Sequence, residues 1–166
     1  FLMFNYDVFS HRMRKKLDIG MKLSAVALIV FALSVVSFIL VYFGNGVLGF
    51  PVGRIEIIAG ILLVYGFFTG LILGQTYKTL PFIIWLFHYQ KLVGKQKTPL
   101  PDNLYSDKLA TIHMYSFVIS LVLFMTGLLF SVKLLLLLAV IAMIFTSLVY
   151  SVNVYRMIFH KKQNIK

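Results

Sequence analysis

Four long apolar stretches dominate the chain: Met21–Phe43, Ile57–Gly74, Leu109–Phe130 and Leu134–Val152. A helix rises about 1.5 Å per residue, so ~20 apolar residues cross a hydrocarbon layer ~30 Å thick. The first stretch carries a single charge, Lys22, at its start. A helix on a water-facing surface keeps a polar back, whereas these stretches are apolar on every face. The pattern predicts an all-α polytopic membrane protein, a bundle of four transmembrane helices over about residues 21–43, 55–78, 109–131 and 134–155.

The connections refine this picture. Residues 44–54 contain four glycines and Pro51, the composition of a turn-rich loop. The third and fourth helices are joined only by Ser131, Val132 and Lys133, which predicts an antiparallel hairpin. Gly66, Gly70 and Gly74 recur every four residues and share one helix face, where two backbones can approach closely. Pro81 cannot donate to the carbonyl of Tyr77, so it is expected to kink the helix or begin a new one. Phe82–Tyr89, with Trp85 among its rings, then reads as an interfacial segment within a loop over residues 79–108. Thr98–Asn103 contains two prolines, an Asp and an Asn and should be irregular. Ser106 is a candidate N-cap for the third helix, without the Glu or Gln of a capping box.

Charge places the loops. The chain carries a net charge of +11, which taken alone would fit nucleic acid. The bases instead cluster at one set of ends. Arg12, Arg14, Lys15, Lys16 and Lys22 lie at or before the first span. Lys78, Lys91, Lys95, Lys97 and Lys108 lie between the second and third, and Arg156, Lys161, Lys162 and Lys166 close the chain. The other two connections hold only Arg54 and Lys133. This bias predicts that residues 1–20, the loop 79–108 and the basic tail 156–166 are cytoplasmic, with both termini on that side. The partners implied are the lipid bilayer and further transmembrane helices, with no nucleic acid. The absence of cysteine excludes disulfides, thiolate metal sites and cysteine nucleophiles. Phe1–Phe9, apolar and followed by the basic run His11–Lys16, has the order of a helix leaving a bilayer. It reads as the tail of an earlier span, the alternative being a short interfacial helix.

Chemistry is thinly signalled. Neutral imidazoles on facing helices can ligate a haem, and several can hold copper. Of His11, His88, His113 and His160, only His113 falls inside a span, and His88 lies on the incoming side of the loop before it. His88 and His113 are therefore the candidate haem or metal ligands; the alternative is a pair of hydrogen-bonded interfacial histidines. Serine, threonine and tyrosine inside the spans can bond within and between helices. If the chain instead belongs to a small-solute transporter, Tyr65, Thr69 and Ser120 are expected to line a midplane cavity. Asp102 and Asp107 read as a turn residue and a helix N-terminal charge. No phosphate-cradling glycine loop or metalloprotease-like motif is present, and no catalytic residue is assigned.

One resemblance stands on short motifs. Leu104–His113 (LYSDKLATIH) resembles the opening of a late transmembrane helix in subunit I of haem–copper oxidases. Leu73–Gln90 (LGQTYKTLPFIIWLFHYQ) resembles bacterial multi-span proteins distantly akin to that subunit. Together these cover about residues 60–128. The resemblance implies a helical module from the C-terminal part of an oxidase-like protein in a bacterial plasma membrane. In the oxidases the preceding helix carries two haem-ligating histidines. The matching positions here, near Ala59 and Ile61, hold none, so that role carries over to no residue of this chain.

Overall fold

The computed structural model describes Met3 and residues 17–47, 52–95 and 97–160. The candidate tail of an earlier span at Phe1–Phe9, His11 and the terminal bases Lys161, Lys162 and Lys166 lie outside the described residues, Met3 apart.

The fold is an all-α bundle, and four of its helical rods are long and apolar enough to cross a membrane. Helix α1 covers Ile19–Val47. Helix α2 covers Val52–Ile61 and runs through a π-helical segment, Leu62–Thr69, into α3, Gly70–Tyr89. Two short 3₁₀ turns follow, Gln90–Leu92 and Pro101–Leu104. Helices α4 (Asp107–Phe130) and α5 (Lys133–Ile158) complete the chain.

The α4–α5 hairpin turns where the three-residue link predicts it. Ser131 takes a left-handed conformation, φ 54°, and its neighbour Val132 donates to the Gly127 carbonyl at 3.0 Å. A Cβ on Gly127 would lie 3.1 Å from the Leu136 backbone nitrogen, so glycine lets the two helices close directly above the turn. At the other end, the Ser106 hydroxyl accepts from the Leu109 N–H at 3.5 Å, the long capping contact of an N-cap without a capping box.

Helix α3 continues where a break is expected. Residues 53–92 form one apolar rod that passes Pro81. Pro81 itself is fully buried, while Leu80 and Ile84, on either side, pack with Tyr77, Ala110 and Met157. Tertiary packing on both flanks thus holds the helix against the lost hydrogen bond, a loss that membrane helices tolerate. Phe82–Tyr89 is therefore part of the helix, and among the described residues the irregular connection is confined to 93–95 and 97–106 apart from its 3₁₀ turn.

The glycine face packs against α1, which presents its own small residues. A Cβ on Gly74 would meet Ser24 Oγ at 2.6 Å and the Gly20 carbonyl at 2.9 Å. One on Gly70 would touch the Ala27 Cβ at 3.3 Å, and one on Gly66 would collide with Val30. Further along, Ser34 Oγ donates to the Ala59 carbonyl at 3.1 Å. The contact is antiparallel, with Gly20 beside Gly74 and Ser34 beside Ala59. An α-helix carries residues four apart about 40° round its axis. The wider turn of the π segment, with its i→i+5 bonding, advances them less and offsets this drift between Gly66 and Gly70. Bulky rings at Tyr65, Phe67 and Phe68 occupy that segment, and Phe67 stacks on Phe31 with centroids 4.6 Å apart.

Candidate functional site

The polar residues of the spans do two things. Most bond to their own helix, as Ser37 does to Leu33 O and Thr126 to Val122 O, at 2.9 and 2.8 Å. Thr69 bonds five residues back, to Val64 O at 3.1 Å, following the π register. Others form cross-helix contacts: Ser34 to Ala59, Tyr65 to Ser120, Gln75 to Ser24 and Thr146 to Ser116. Tyr65 and Ser120, two of the three candidate cavity residues, close on each other at 2.6 Å, and Phe117 and Phe124 pack on the Tyr65 ring. In this conformation they are a closed contact.

The strongest concentration of buried polar groups lies at the basic end of the bundle. There α3 supplies Tyr77, α4 supplies His113, α5 supplies Tyr150 and Asn153, and the loop supplies Tyr105. The ring centroids of His113 lie 5.5 Å from Tyr77 and 5.2 Å from Tyr150; Tyr77 lies 5.7 Å from both Tyr105 and Tyr150. His113 is 1% exposed and Tyr77 2%. Among the described residues, neither ring nitrogen of His113 has a hydrogen-bond partner, while the Tyr77 hydroxyl has Asn153 within its reach. Unpaired polar groups in a packed interior are uncommon and mark a position that packing alone does not explain.

Asn153, fully buried, ties the loop to α5. Its Oδ1 accepts from the Ser106 N–H at 3.1 Å and its Nδ2 donates to the Ser106 carbonyl at 3.3 Å. One amide thus satisfies both backbone groups of the α4 N-cap residue. Beside it, burial and the charges of Asp107, Asp102, Asp18 and Tyr77 hold the Tyr105 phenol well above its ordinary range, so it stays a donor. Three of the five carboxylates of this basic chain bear on that one hydroxyl.

The two candidate ligand histidines do not face one another. Tyr77, which touches His113, and His88 are eleven residues apart on α3, about 16 Å along its axis. His88 Nδ1 lies 3.0 Å from the Ile84 carbonyl of its own helix. Its aromatic neighbours are Phe87 and Tyr89. Tyr89 Oη meets His160 Nε2 at 3.0 Å, and the charge of His88 bears on His160. Tyrosine rings occupy the flanks of His113 where a porphyrin would have to lie. The donor set does not fit a haem held between His88 and His113, and no metal-binding group of three His, Cys, Asp or Glu forms among the described residues.

Sequence reasoning placed His113 inside a span and missed its neighbours. Tyr77, Tyr105, Tyr150 and Asn153 lie on separate segments, and no spacing in the sequence links them to His113. Gly66, Gly70 and Gly74 lie together on the α1-facing side of the rod. Comparisons with protein families, with curated proteins and with solved structures find no match for this chain.

Proposed function

We propose that the chain is a structural helix module of a larger membrane assembly, with no reactive centre of its own. One observation carries this reading: the bundle spends its small residues on internal backbone contact and leaves α5 bare along most of its flank. Leu134, Leu137, Ile141, Ile144, Phe145 and Leu148 are all exposed there. Such a flank suits lipid or the helices of a larger protein. Loop charge supports a cytoplasmic basic end, and the resemblance supports a bacterial plasma membrane. The oxidase-like resemblance supports the same role, because its two runs, Leu73–Gln90 and Leu104–His113, meet at Tyr77, Tyr105 and His113.

The test is the absorbance spectrum of the protein purified in mild detergent, oxidised and then dithionite-reduced. A structural module gives no Soret band in either state. A Soret band that disappears in His113→Phe would overturn the reading and place a haem on this chain.

A further inference from the structure

We propose that residues 80–97 form an arm that lies in the lipid headgroup layer and gathers anionic phospholipids. The first support is position. Gly20 at the start of α1, Ala110 near the start of α4 and Tyr150 of α5 all sit at the level of Gly74 to Tyr77. Helix α3 and its 3₁₀ turn run on to Leu92, fourteen residues past Lys78, or ~20 Å of helix and turn. Among the described residues, the last two turns of α5, through His160 beside Tyr89, and the returning loop accompany this extension.

The second support is chemistry. Phe82, Ile83 and Phe87 are exposed on the arm, Phe87 at 90%, with Ile158 and Phe159 exposed at the neighbouring α5 end. An apolar surface of this kind, rimmed by charge, is an interaction surface. Its rim is basic: Lys91, Lys95 and Lys97 are exposed, and residues 78–100 contain no carboxylate. Arg156 of α5 is exposed as well. Bases beside a membrane attract anionic headgroups over about one Debye length. Trp85, the only tryptophan of the chain, donates its indole N–H to the Pro99 carbonyl and so pins the returning loop to the arm. Aromatic rings with one wet edge concentrate at this depth of a bilayer.

The third support is a shallow groove of about 460 Å³ on the outward face of α3. Leu71 and Ile72 line its inner part, Gln75, Thr76 and Thr79 its middle, and Ile83 its far end on the arm. Its exposed lining is almost wholly apolar and runs toward the basic rim, which suits an acyl chain lying against α3 below its headgroup. The occupant favoured by the charge is an anionic phospholipid; a second protein is the competing occupant, and the experiment separates them.

Because the chain has no cysteine, a nitroxide on Phe87→Cys reports one position. In nanodiscs, oxygen and a water-soluble nickel complex should reach the label in the proportion characteristic of the headgroup layer. Water-like access to nickel would show the arm projecting into solvent, and shielding from both relaxants would show protein covering it; either overturns the proposal. Native mass spectrometry from mixed phosphatidylglycerol–phosphatidylcholine membranes should find phosphatidylglycerol enriched on the chain. The enrichment should be lost in Lys91→Gln/Lys95→Gln/Lys97→Gln. Equal retention of both lipids, or enrichment unchanged in the triple variant, overturns the charge-based recognition.

Discussion

The two sides of α3 hold the bundle together by opposite means. Toward α1 the rod offers glycines, and backbone meets backbone over Gly20, Ser24 and Gly74. Toward α4 and α5 it offers Tyr77, and rings and amides from three helices and a loop fill the space. In a bilayer both arrangements work through van der Waals contact and interhelical hydrogen bonds, since apolar surface gains little by leaving lipid. They should fail differently. A contact between backbones cannot yield to an added atom, whereas a contact between side chains can repack.

The sharpest break of that comparison is a graded glycine series. Gly74→Ala puts its methyl against Ser24 N at 3.0 Å and the Gly20 carbonyl at 2.9 Å, groups fixed by the helix. It should destabilise the protein by about 2 kcal/mol or more, while Gly70→Ala, whose methyl meets a Phe117 ring edge at 3.2 Å, should cost less than about 1 kcal/mol. Equilibrium unfolding in mixed micelles reads both, and equal losses would show that the α1 contact is not backbone-limited. Next in size, Asn153→Ala leaves the Ser106 N–H without its partner and takes one of two donors from the Ser106 carbonyl, which keeps the Ala110 N–H. The expected cost is about 2 kcal/mol, with faster amide exchange at the start of α4. A neutral outcome would mean that water replaces the amide. Smaller still, Tyr65→Phe deletes the 2.6 Å contact with Ser120 and should cost about 0.6 kcal/mol, the usual worth of an interhelical bond in a membrane. A loss several times larger would mean that this hydroxyl holds more than its serine.

The same contrast explains what the sequence made legible. Four apolar runs and a repeat of glycines are patterns within single segments, and they mark the spans and the tight face of α3 directly. The ends of α4 and α5 fall within a few residues of those expected because Ser106 and the Ser131 turn are local signals. The cluster around His113 draws one or two residues from each of four segments, so no periodicity reports it. Pro81 is the reverse case: its local signal is strong, but the packing of Leu80 and Ile84 decides the outcome. The π segment likewise depends on what lies opposite, because the rings of Tyr65 and Phe67 need room beside Phe117 and Phe31.

A pH dependence belongs to the arm side of the bundle and should be modest. Partial burial, and then the nearby charge of His88, hold the His160 imidazole below its ordinary range. Its neutral form is favoured by the fold. The stabilisation is therefore present above the unfolded pKa, about 6.5, and is lost as pH falls through the lowered folded value. Thermal unfolding should shift downward on acidification from pH about 7 into that window, and the shift should shrink in His160→Gln. The same acid shift in that variant would assign it to other groups. Since His160 keeps some contact with solvent, the effect is screened.

The smallest expected effect is the most informative about function. His113 leaves water on folding and receives no hydrogen bond among the described residues. Removing a buried polar group that has no partner removes its desolvation cost as well. His113→Phe keeps a planar ring between Tyr77 and Tyr150, so stability should stay within about 1 kcal/mol of the native protein or rise. A structural module tolerates this exchange, because its cluster works by shape. A loss of several kcal/mol would mean that an imidazole nitrogen is held by a bound water or ligand. The position would then be a site, and the bundle a scaffold built around it.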